Sequence, residues 1–342
     1  MGINITILNE RIFMKLGIIG AGKIVQEQLT FLNDIDGIDL LAIAATSRSE
    51  EKLKDLCRRY EIHKYYTDYE KLLADDEVEV VYVALPNNLH YEVMDKALDY
   101  GKDIICEKPF TADINQALKI FRKAEKKNLI VLEAMSNRFN PNALAVKERI
   151  KDLGKLKIVS FNYSQYSSRY DAFKKGEIAP AFSLGHAGGA LMDLNVYNID
   201  YVINLFGVPE DVKYFPNIEN SIDTSGVMVM DYGDFKAVCI GAKDSSAEFL
   251  NTIQGEHGTI TIKDALNSFD TAVISIKGQD DELLELDGTK SRLYYEWIDF
   301  DKIIKDRNYK KANDLADLTL ATVEAINQAR IEAGIFFPSD EN

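Results

Sequence analysis

Cysteine is scarce in this sequence, and its distribution excludes a disulfide framework. The 342 residues include three cysteines, an odd number. Cys57, Cys106 and Cys239 lie far apart, and none has the CxxC or histidine-adjacent spacing that metal sites use. We therefore predict three reduced structural thiols, no metal site and a cytoplasmic location.

Long apolar runs and excess positive charge are also lacking. No run approaches the roughly 20 apolar residues that a membrane-spanning helix needs. The first thirteen residues contain Asn, Glu and Arg and lack a small-residue cleavage site, so we expect that they are not a signal peptide. Met14 is a candidate ancestral start. The net charge of −15 argues against nucleic acid or an anionic membrane as a main partner. We expect a small-molecule substrate, and any anionic cofactor must rely on backbone N–H groups and a few well-placed cations.

The first part of the chain alternates apolar runs with amphipathic stretches, which is typical of a parallel sheet covered by helices on both faces. The predicted strands are 15–19, 40–45, 78–84, 103–106 and 129–133. The predicted helices are 24–32, 50–60, 69–73, 89–100 and 114–127. We therefore predict an α/β fold that begins with a dinucleotide-binding Rossmann domain at 14–135.

The pattern changes after residues 136–141. Strand-like segments with hairpin-like turns follow at 156–166, 212–218, 224–232, 235–242, 248–254, 258–263 and 272–277. One helix at about 189–205 interrupts them, and another at about 312–333 closes the chain. We predict that 136–342 form an α+β domain for substrate binding and dimerisation, with a large, mostly antiparallel open sheet.

A glycine-rich turn follows the first predicted strand and opens the first predicted helix. Gly20 permits a tight turn, and Gly22 lets the backbone approach a pyrophosphate at the helix N-terminus, beside Lys23 and Ile24. Val25 stands where the G-x-G-x-x-G fingerprint has glycine or alanine, so we expect the helix to lie slightly farther from the strand. Taken alone, so short a pattern is equally compatible with a plain tight turn.

Ser47 and Arg48 follow the second predicted strand, where an acidic residue would bind the ribose 2′-hydroxyl of NAD. A hydroxyl and a guanidinium suit a 2′-phosphate instead, so the sequence favours NADP, with NAD as the alternative. In a competing interpretation, Ser47 or Ser49 caps the helix that begins at Glu50, and Arg48 is merely solvated.

The loop after the strand at 78–84 also lies at the carboxyl edge of the predicted sheet. Leu85, Pro86 and Asn87 are expected to lie over the ribose and nicotinamide of the cofactor. His90 is included among the cofactor-binding candidates, although packing beneath the loop is the interpretation we favour for it. Asn88 is a candidate cap for the following helix.

The segment CEKP carries the most information. It follows the apolar run 103–106, so Lys108 brings an ammonium group to the carboxyl end of a buried strand, where open α/β sheets hold their ligands. We assign Glu107 and Lys108 to the cofactor, and Lys108 also to the substrate and to catalysis.

Asp193 and Tyr197 supply a second candidate set. Four residues apart on a helix, they share one face. A phenol of pKa ~10 is a poor acid–base group at neutral pH, but an ammonium within about 4 to 6 Å lowers its pKa by roughly 1 to 3 units, and Lys108 is the expected cation. The predicted reaction is hydride transfer between a nicotinamide and a carbinol or carbonyl carbon, in which Tyr197 exchanges the proton and Lys108 polarises the oxygen. Asp193 orients a substrate hydroxyl or keeps Lys108 charged.

A bland interpretation of this set is a core tyrosine and a carboxylate at the start of a helix. The preceding pair Gly188 and Gly189 disfavours it, because glycines there point to a close backbone approach. Two weaker substrate-binding candidates are Arg138 and His186. Arg138 is at least as compatible with an interdomain ion pair, and a lone loop histidine is more often incidental.

The segments GAGKI, VALPNNLH, GKDIICEKPF and GGALMDLNVYNID together resemble the glucose-fructose oxidoreductase, inositol dehydrogenase and MocA family, from about Met14 to the last helix. The resemblance implies that Lys108 lies at the nicotinamide and substrate, and that Lys108–Pro109 is a cis peptide. Many members have an aspartate and a histidine in GGGxLxDxGxH; here Asp193 matches the aspartate, and Tyr197 replaces the histidine. Such a tyrosine is similar to the dimeric dihydrodiol dehydrogenase and glucose-fructose oxidoreductase branches, where it is the catalytic acid. Asn195 replaces the glycine and matches neither pattern.

These residues and the resemblance predict an NAD(P)-dependent oxidoreductase acting on a sugar, polyol, diol or related carbonyl compound. Two alternatives stay open: a hydrolase or lyase that regenerates bound NAD in each cycle, and a non-catalytic dinucleotide sensor. The intact Lys108 and Tyr197 argue against the sensor. The sequence shows no second run of helices long enough to cover the later strands, so a homodimer through that sheet is also predicted.

Overall fold

The computed structural model describes residues 13–341. Its first part contains a six-stranded parallel sheet in the order β3-β2-β1-β4-β5-β6. The strands are β1 (Met14–Ile19), β2 (Ile38–Ala44), β3 (Lys64–Tyr66), β4 (Val80–Val83), β5 (Asp103–Glu107) and β6 (Val131–Ala134). The chain reverses direction across the sheet between β1 and β4, which creates the crevice where doubly wound folds bind dinucleotides.

Five helices connect these strands. They are α1 (Lys23–Leu29), α2 (Glu50–Tyr60), α3 (Tyr69–Leu73), α4 (His90–Asp99) and α5 (Ile114–Lys127). Every residue of β4 and β5 is buried, because helices cover the sheet on both faces. Two separate apolar cores result, one on each face of the parallel sheet.

The second part contains an eight-stranded sheet in the order β14-β13-β12-β11-β7-β10-β9-β8. Its strands are β7 (Leu156–Ser164), β8 (Asp211–Glu219), β9 (Ile222–Asp231), β10 (Lys236–Ala242), β11 (Asn251–Gly255), β12 (Gly258–Ile262), β13 (Thr271–Ile276) and β14 (Glu282–Glu285). All neighbouring strands are antiparallel except β7 and β10, which run parallel. The predicted class, a Rossmann domain followed by a mostly antiparallel sheet, is confirmed.

Five further helices complete the described part of the chain. They are α6 (Pro141–Arg149), α7 (Tyr170–Lys174), α8 (Val196–Phe206), α9 (Tyr294–Lys305) and α10 (Tyr309–Glu332). Helices α6, α8 and α10 pack on one face of the eight-stranded sheet. The prediction that no further helices cover this sheet is therefore wrong for one face, whereas side chains of the opposite face stay half-buried or exposed.

Helix α9 lies far along the chain but belongs to a core of the first sheet. Trp297 is completely buried and packs edge-on against Tyr82 of β4, with ring centroids 5.3 Å apart. Phe300 packs in the same way against Phe139. The domain bounds of 14–135 and 136–342 stay a prediction. Helix α9 lies within 136–342 in the sequence but packs against the parallel sheet formed by 14–135.

Several short elements were missed in the sequence. β3 and β14 have three and four residues, too few for a clear alternation of apolar side chains. Helices α6, α7 and α9 were also missed, so more than one helix interrupts the strands of the second part.

The three cysteines are free; Cys106 and Cys239 are buried and Cys57 is half-buried. In residues 13–341 no helix is long and apolar enough to cross a membrane. The same residues contain no cluster of His, Cys, Asp or Glu suited to a metal ion.

Candidate active site

The glycine-rich turn joins β1 to α1 at the carboxyl edge of the parallel sheet. Gly20 has a φ of +126°, and a Cβ there would lie 2.2 Å from Ala84 O, so a side chain is excluded. Gly22 is exposed, and a Cβ on it would meet nothing within 4 Å. Lys23 begins α1, and Ile24 lines the cleft described below. The turn is therefore tight on its sheet side and open toward the cleft, as a bound pyrophosphate requires.

Ser47 and Arg48 lie exposed on a short 3₁₀ turn that links β2 to α2. Ser49 is the N-cap residue of α2, yet its side chain makes no capping hydrogen bond in the described structure. The structure therefore does not support the interpretation in which Ser47 or Ser49 caps α2 through its hydroxyl group. Lys52 of α2 donates to Ala21 O in the glycine turn, which adds a second exposed cation to this corner.

The loop after β4 lines the cleft with Leu85, Pro86 and Asn87. Asn87 Nδ2 donates to Ala187 O at 2.8 Å and so joins the loop to the second part of the chain. His90 is fully buried, with Nε2 2.9 Å from Leu85 O and Nδ1 3.0 Å from Pro109 O. Burial lowers the pKa of His90, and its ring supports two cleft loops from beneath. The structure does not bring His90 to the cleft.

Lys108 directly follows β5, and its peptide bond to Pro109 is cis, as the resemblance implied. Its Nζ donates to Asp193 O at 2.8 Å and to Asp193 Oδ1 at 3.3 Å. Burial alone would lower the pKa of the Lys108 ammonium, but Tyr197 and Asp193 raise it above the usual range. Glu107 is buried behind it and accepts from the Tyr82 hydroxyl at 2.5 Å. Burial raises the pKa of Glu107.

Asp193 and Tyr197 come from the start of the helix that follows the Gly188-Gly189 pair. Residues Leu191–Asn195 form a π-helical turn that continues into α8, and such turns are frequent at functional sites. Asp193 and Tyr197 both line the cleft despite this irregularity. Lys108 Nζ lies 4.7 Å from the centre of the Tyr197 ring. The predicted meeting of Lys108, Asp193 and Tyr197 is thus present in the structure.

The pKa of Tyr197 differs from the prediction. Burial raises the pKa of its phenol to about 12, although Lys108 and Arg292 act in the opposite direction. Lys108 lowers the pKa of Tyr197 as predicted, but the net shift is upward, because removal of the phenol from water outweighs the two cations. At neutral pH Tyr197 is a protonated hydrogen-bond donor.

Glycine is required before the helix for the reason the sequence indicated. A Cβ on Gly188 would lie 2.6 Å from Pro180 O, and one on Gly189 would lie 2.0 Å from Asp223 Oδ1. Asp223 Oδ2 in turn accepts from Leu191 N at 2.7 Å. Burial raises the pKa of Asp223 to about 6. The two glycines let the cleft loop and β9 close tightly on the start of the helix.

Asn195, which departs from the family pattern, faces the sheet and not the cleft. It is completely buried, and its Nδ2 donates to Cys239 O at 3.0 Å. Gly241 leaves the space that its side chain occupies. Asn195 therefore joins the helix to β10, and its identity carries no information about the substrate.

Of the two weaker substrate-binding candidates, His186 lines the cleft and Arg138 does not. Arg138 is buried, and its guanidinium donates to Glu133, Asp200 and Thr319. The structure does not bring it into the cleft, because these buried partners already occupy its donors; the ion-pair interpretation describes its contacts. His186 does line the cleft, with Nδ1 3.0 Å from Ser183 Oγ.

The cleft has a volume of about 620 Å³ and lies between the two sheets. The polar lining residues that were missed in the sequence are Tyr163, Arg169, Asn267 and Arg292. Arg292 donates to Glu27 of α1 at 3.2 Å, and its Nη1 has no partner among the described residues. A further missed residue, Lys243, stands behind Asp193, with Nζ 2.8 Å from Asp193 Oδ2. None of these residues belongs to a recognisable local motif.

The chain is similar to known oxidoreductases. Residues 14–135 match the family model described as the oxidoreductase family with an NAD-binding Rossmann fold. Over 329 residues the chain is 30% identical to scyllo-inositol 2-dehydrogenase (NADP(+)) IolU of Bacillus subtilis, covering 96% of this chain and 99% of that protein. It is 28% identical over 255 residues to trans-1,2-dihydrobenzene-1,2-diol dehydrogenase of Xenopus tropicalis, covering 72% and 74%.

Solved structures share the fold. A 3-ketoreductase from Actinomadura kijaniata in complex with NADP and TDP-benzene matches with a TM-score of 0.81 at 20% identity, over 93% of this chain and 97% of that one. A levoglucosan dehydrogenase in complex with NADH and levoglucosan matches with a TM-score of 0.76 at 18% identity, over the same shares. The sequence match along nearly the whole of IolU, together with the family model, settles the relationship: the chain belongs to the glucose-fructose oxidoreductase, inositol dehydrogenase and MocA family of NAD(P)-dependent oxidoreductases.

Proposed function

We propose that this protein transfers a hydride between NADP(H) and a sugar, polyol, diol or related carbonyl compound. The observation that carries the proposal is the convergence of Lys108, Asp193 and Tyr197 on one cleft beside the glycine turn. The activities of two relatives, an inositol dehydrogenase and a diol dehydrogenase, agree with this substrate class.

The chain offers a binding surface that fits the dinucleotide along the carboxyl edge of the parallel sheet. Gly20, Gly22, Lys23 and Ile24 would hold the pyrophosphate, with Ser47 and Arg48 at the adenosine ribose. Loop residues 85–87, Glu107 and Lys108 would hold the nicotinamide end. When bound there, the nicotinamide supplies the group that accepts or donates the hydride.

The chain's own residues handle the proton. In the reducing direction, the Tyr197 hydroxyl donates its proton to the substrate oxygen as the carbonyl becomes an alcohol. The Lys108 ammonium stabilises negative charge on that oxygen. Asp193 holds Lys108 in place through two contacts, and burial alone would raise the pKa of its carboxyl, but Lys243 and Lys108 keep it well below its usual range. Asp193 is therefore an anion and not the acid.

A panel of aldoses, polyols, diols and dicarbonyls, each assayed with NADP(H) and NAD(H), tests the proposed function. We expect at least one compound to produce a stoichiometric change in reduced-cofactor absorbance. The competing hydrolase or lyase would consume substrate with no net absorbance change and would retain its cofactor through gel filtration. That result would overturn the proposal.

The cofactor preference gives a separate prediction. We expect NADP(H) to bind several-fold more tightly than NAD(H), because Arg48 stands where NAD enzymes have an acidic residue. Arg48→Ala should narrow that gap, whereas Arg58→Ala, at the far end of α2, should not. Isothermal titration calorimetry measures both affinities. Equal affinities in the wild-type protein would contradict the assignment of Ser47 and Arg48 to a phosphate.

We further propose that the protein is a homodimer in a reducing, cytoplasmic compartment, with the three thiols free. On the uncovered sheet face, Val229 and Val227 of β9 are paired in register with Val238 and Ile240 of β10. Ile158 on the neighbouring β7 is 40% exposed. An isologous contact between two copies would bury this apolar surface.

Light scattering tests the dimer. We expect a mass twice the monomer's 38.6 kDa at micromolar concentration. Val229→Asp combined with Ile240→Asp should give monomers, because the contact would have to bury carboxylates. Val208→Asp, at an exposed valine outside the sheet, is the matched control and should stay dimeric. A wild-type monomer would contradict this assembly.

A further inference from the structure

A second buried lysine contacts the candidate catalytic aspartate from behind. Lys243 follows β10, and its side chain is only 2% exposed. Its Nζ donates to Asp193 Oδ2 at 2.8 Å and to Ala181 O at 2.6 Å. It also lies 4.3 Å from the centre of the Phe182 ring. One ammonium group thus joins β10, the cleft loop at 180–182 and the start of the catalytic helix.

The parallel pairing of β7 and β10 explains how Lys243 reaches this point. Gly241 lies opposite Tyr163 and Ala242 opposite Ser164, so both strands end at the cleft. Tyr163 lines the cleft, and Lys243 continues β10 beneath it. The second sheet therefore contributes to the site in the way that β5 does in the first sheet, from the carboxyl ends of parallel strands.

Asp193 consequently has a different cation on each oxygen. Lys243 contacts Oδ2, and Lys108 contacts Oδ1 and the backbone carbonyl. With Oδ2 occupied from behind, the carboxylate cannot rotate without breaking its ion pair with Lys243, whose side chain is 2% exposed, whereas the Asp193 side chain is 35% exposed on the cleft side. Loss of the Asp193 carboxylate is costly, because it leaves the buried Lys243 ammonium uncompensated.

We propose that Lys243 is a positioning residue, which fixes the Asp193 carboxylate in the charged form and in the orientation that holds Lys108 at the reacting oxygen. It also tethers the loop at 180–182. The proposal rests on the proposed function, since it assumes that Lys108 meets a substrate oxygen. One carboxylate between two ammonium groups leaves a net positive charge at the site, and this charge favours a developing alkoxide.

Two substitutions separate the charge of Lys243 from its tether. Lys243→Met removes both, whereas Lys243→Gln removes the charge but keeps a donor for Ala181 O. We expect both to move the acid limb of kcat upward by about 1 to 3 pH units, because Asp193 loses a neighbouring cation. KM should rise more in the methionine variant. Lys243→Arg keeps the positive charge, so its pH profile of kcat should lie closer to that of the wild-type protein than the profiles of the other two variants do.

The other groups facing the pair are the same in all these variants, but Lys243 also lowers the pKa of one of them, Asp223, so the pH profiles are compared again in an Asp223→Asn background, where a shift that persists belongs to Asp193. The facing groups are Lys108 after β5, Tyr163 on β7, Tyr197 on α8 and Asp223 on β9. Lys102→Met is the matched control. Lys102 is also a buried lysine, donating to Asp75 O and Val78 O, but it lies at the opposite end of β5. It should lower thermal stability without moving the acid limb.

An acid limb that stays in place in both Lys243→Met and Lys243→Gln, with turnover intact, would overturn the proposal. A thermal-stability cycle with Lys243→Met and Asp193→Asn, alone and combined, measures the contact without any substrate. We expect the combined loss to be smaller than the sum of the single losses. If the losses of thermal stability were additive, Lys243 and Asp193 would not be coupled, and the proposed contact would be contradicted. Absence of turnover in the wild-type protein would instead overturn the proposed function and the positioning role, with the contact still decided by the cycle.

Discussion

Replacing Lys108 with methionine is expected to lower turnover by roughly 100-fold or more while leaving NADPH affinity nearly unchanged. Methionine keeps the length and apolar stem of lysine but cannot polarise a substrate oxygen. Asp193 retains Lys243 as a partner in this variant, so the loss of Lys108 does not leave it uncompensated. Steady-state kinetics on a substrate from the panel, with fluorescence titration of NADPH, measures both quantities.

The matched control for this change is again Lys102→Met, at the other end of the same strand. It removes a buried ammonium that donates to two backbone carbonyl groups away from the cleft, and it should leave turnover within a few-fold of wild type. If Lys108→Met weakened NADPH binding as much as it slowed turnover, Lys108 would be a binding residue only, and the proposed role at the substrate oxygen would fall.

Replacing Tyr197 with phenylalanine is the second change for which we expect a loss of roughly 100-fold or more, the scale of a positioned acid–base group. The substitution removes one hydroxyl and keeps the ring that lies 4.7 Å from Lys108 Nζ and 6.0 Å from the Tyr163 ring. Because burial raises the phenol pKa to about 12, Tyr197 is protonated and ready to donate in the reducing direction. The deficit should therefore appear in kcat and in kcat/KM together, with cofactor binding intact.

Tyr201→Phe provides the comparison on the same helix. Tyr201 is completely buried, and its hydroxyl donates to Ala143 O at 3.0 Å, away from the cleft. We expect its loss to cost about 1 kcal/mol of stability and little activity. Full turnover by Tyr197→Phe would make the tyrosine a packing residue, and Lys108 itself or His186 would then be the next acid to test.

The Rossmann half of the fold could be predicted because its signals are local. Helices α2 and α5 have the predicted bounds, since a capping or charged first turn and an amphipathic face mark each of them. Helix α9 carried no such indication of where it packs. Trp297 finds its partner Tyr82 more than two hundred residues earlier in the chain, and no periodicity within α9 reveals that contact.

The candidate site shows the same division between local and distant information. Lys108 could be predicted as a site residue because it follows a recognisable strand. Asp193 and Tyr197 could be predicted because residues four apart lie on the same face of a helix. Lys243 and Arg292 were missed because their importance comes from partners far along the chain, Asp193 and Glu27. The direction of the Tyr197 pKa shift could not be predicted for a related reason. Burial is a property of the fold, whereas the sequence indicated only the neighbouring cation.

The most direct test of the account compares Lys108→Met, Tyr197→Phe and the double variant in single-turnover reduction of one substrate, with NADPH saturating. We propose that the two residues act on the same oxygen as one proton-handling unit. The double variant should then be little slower than the slower single variant. Losses that multiply, so that the double variant is slower by the product of the two single effects, would contradict a shared unit and separate Lys108 from Tyr197.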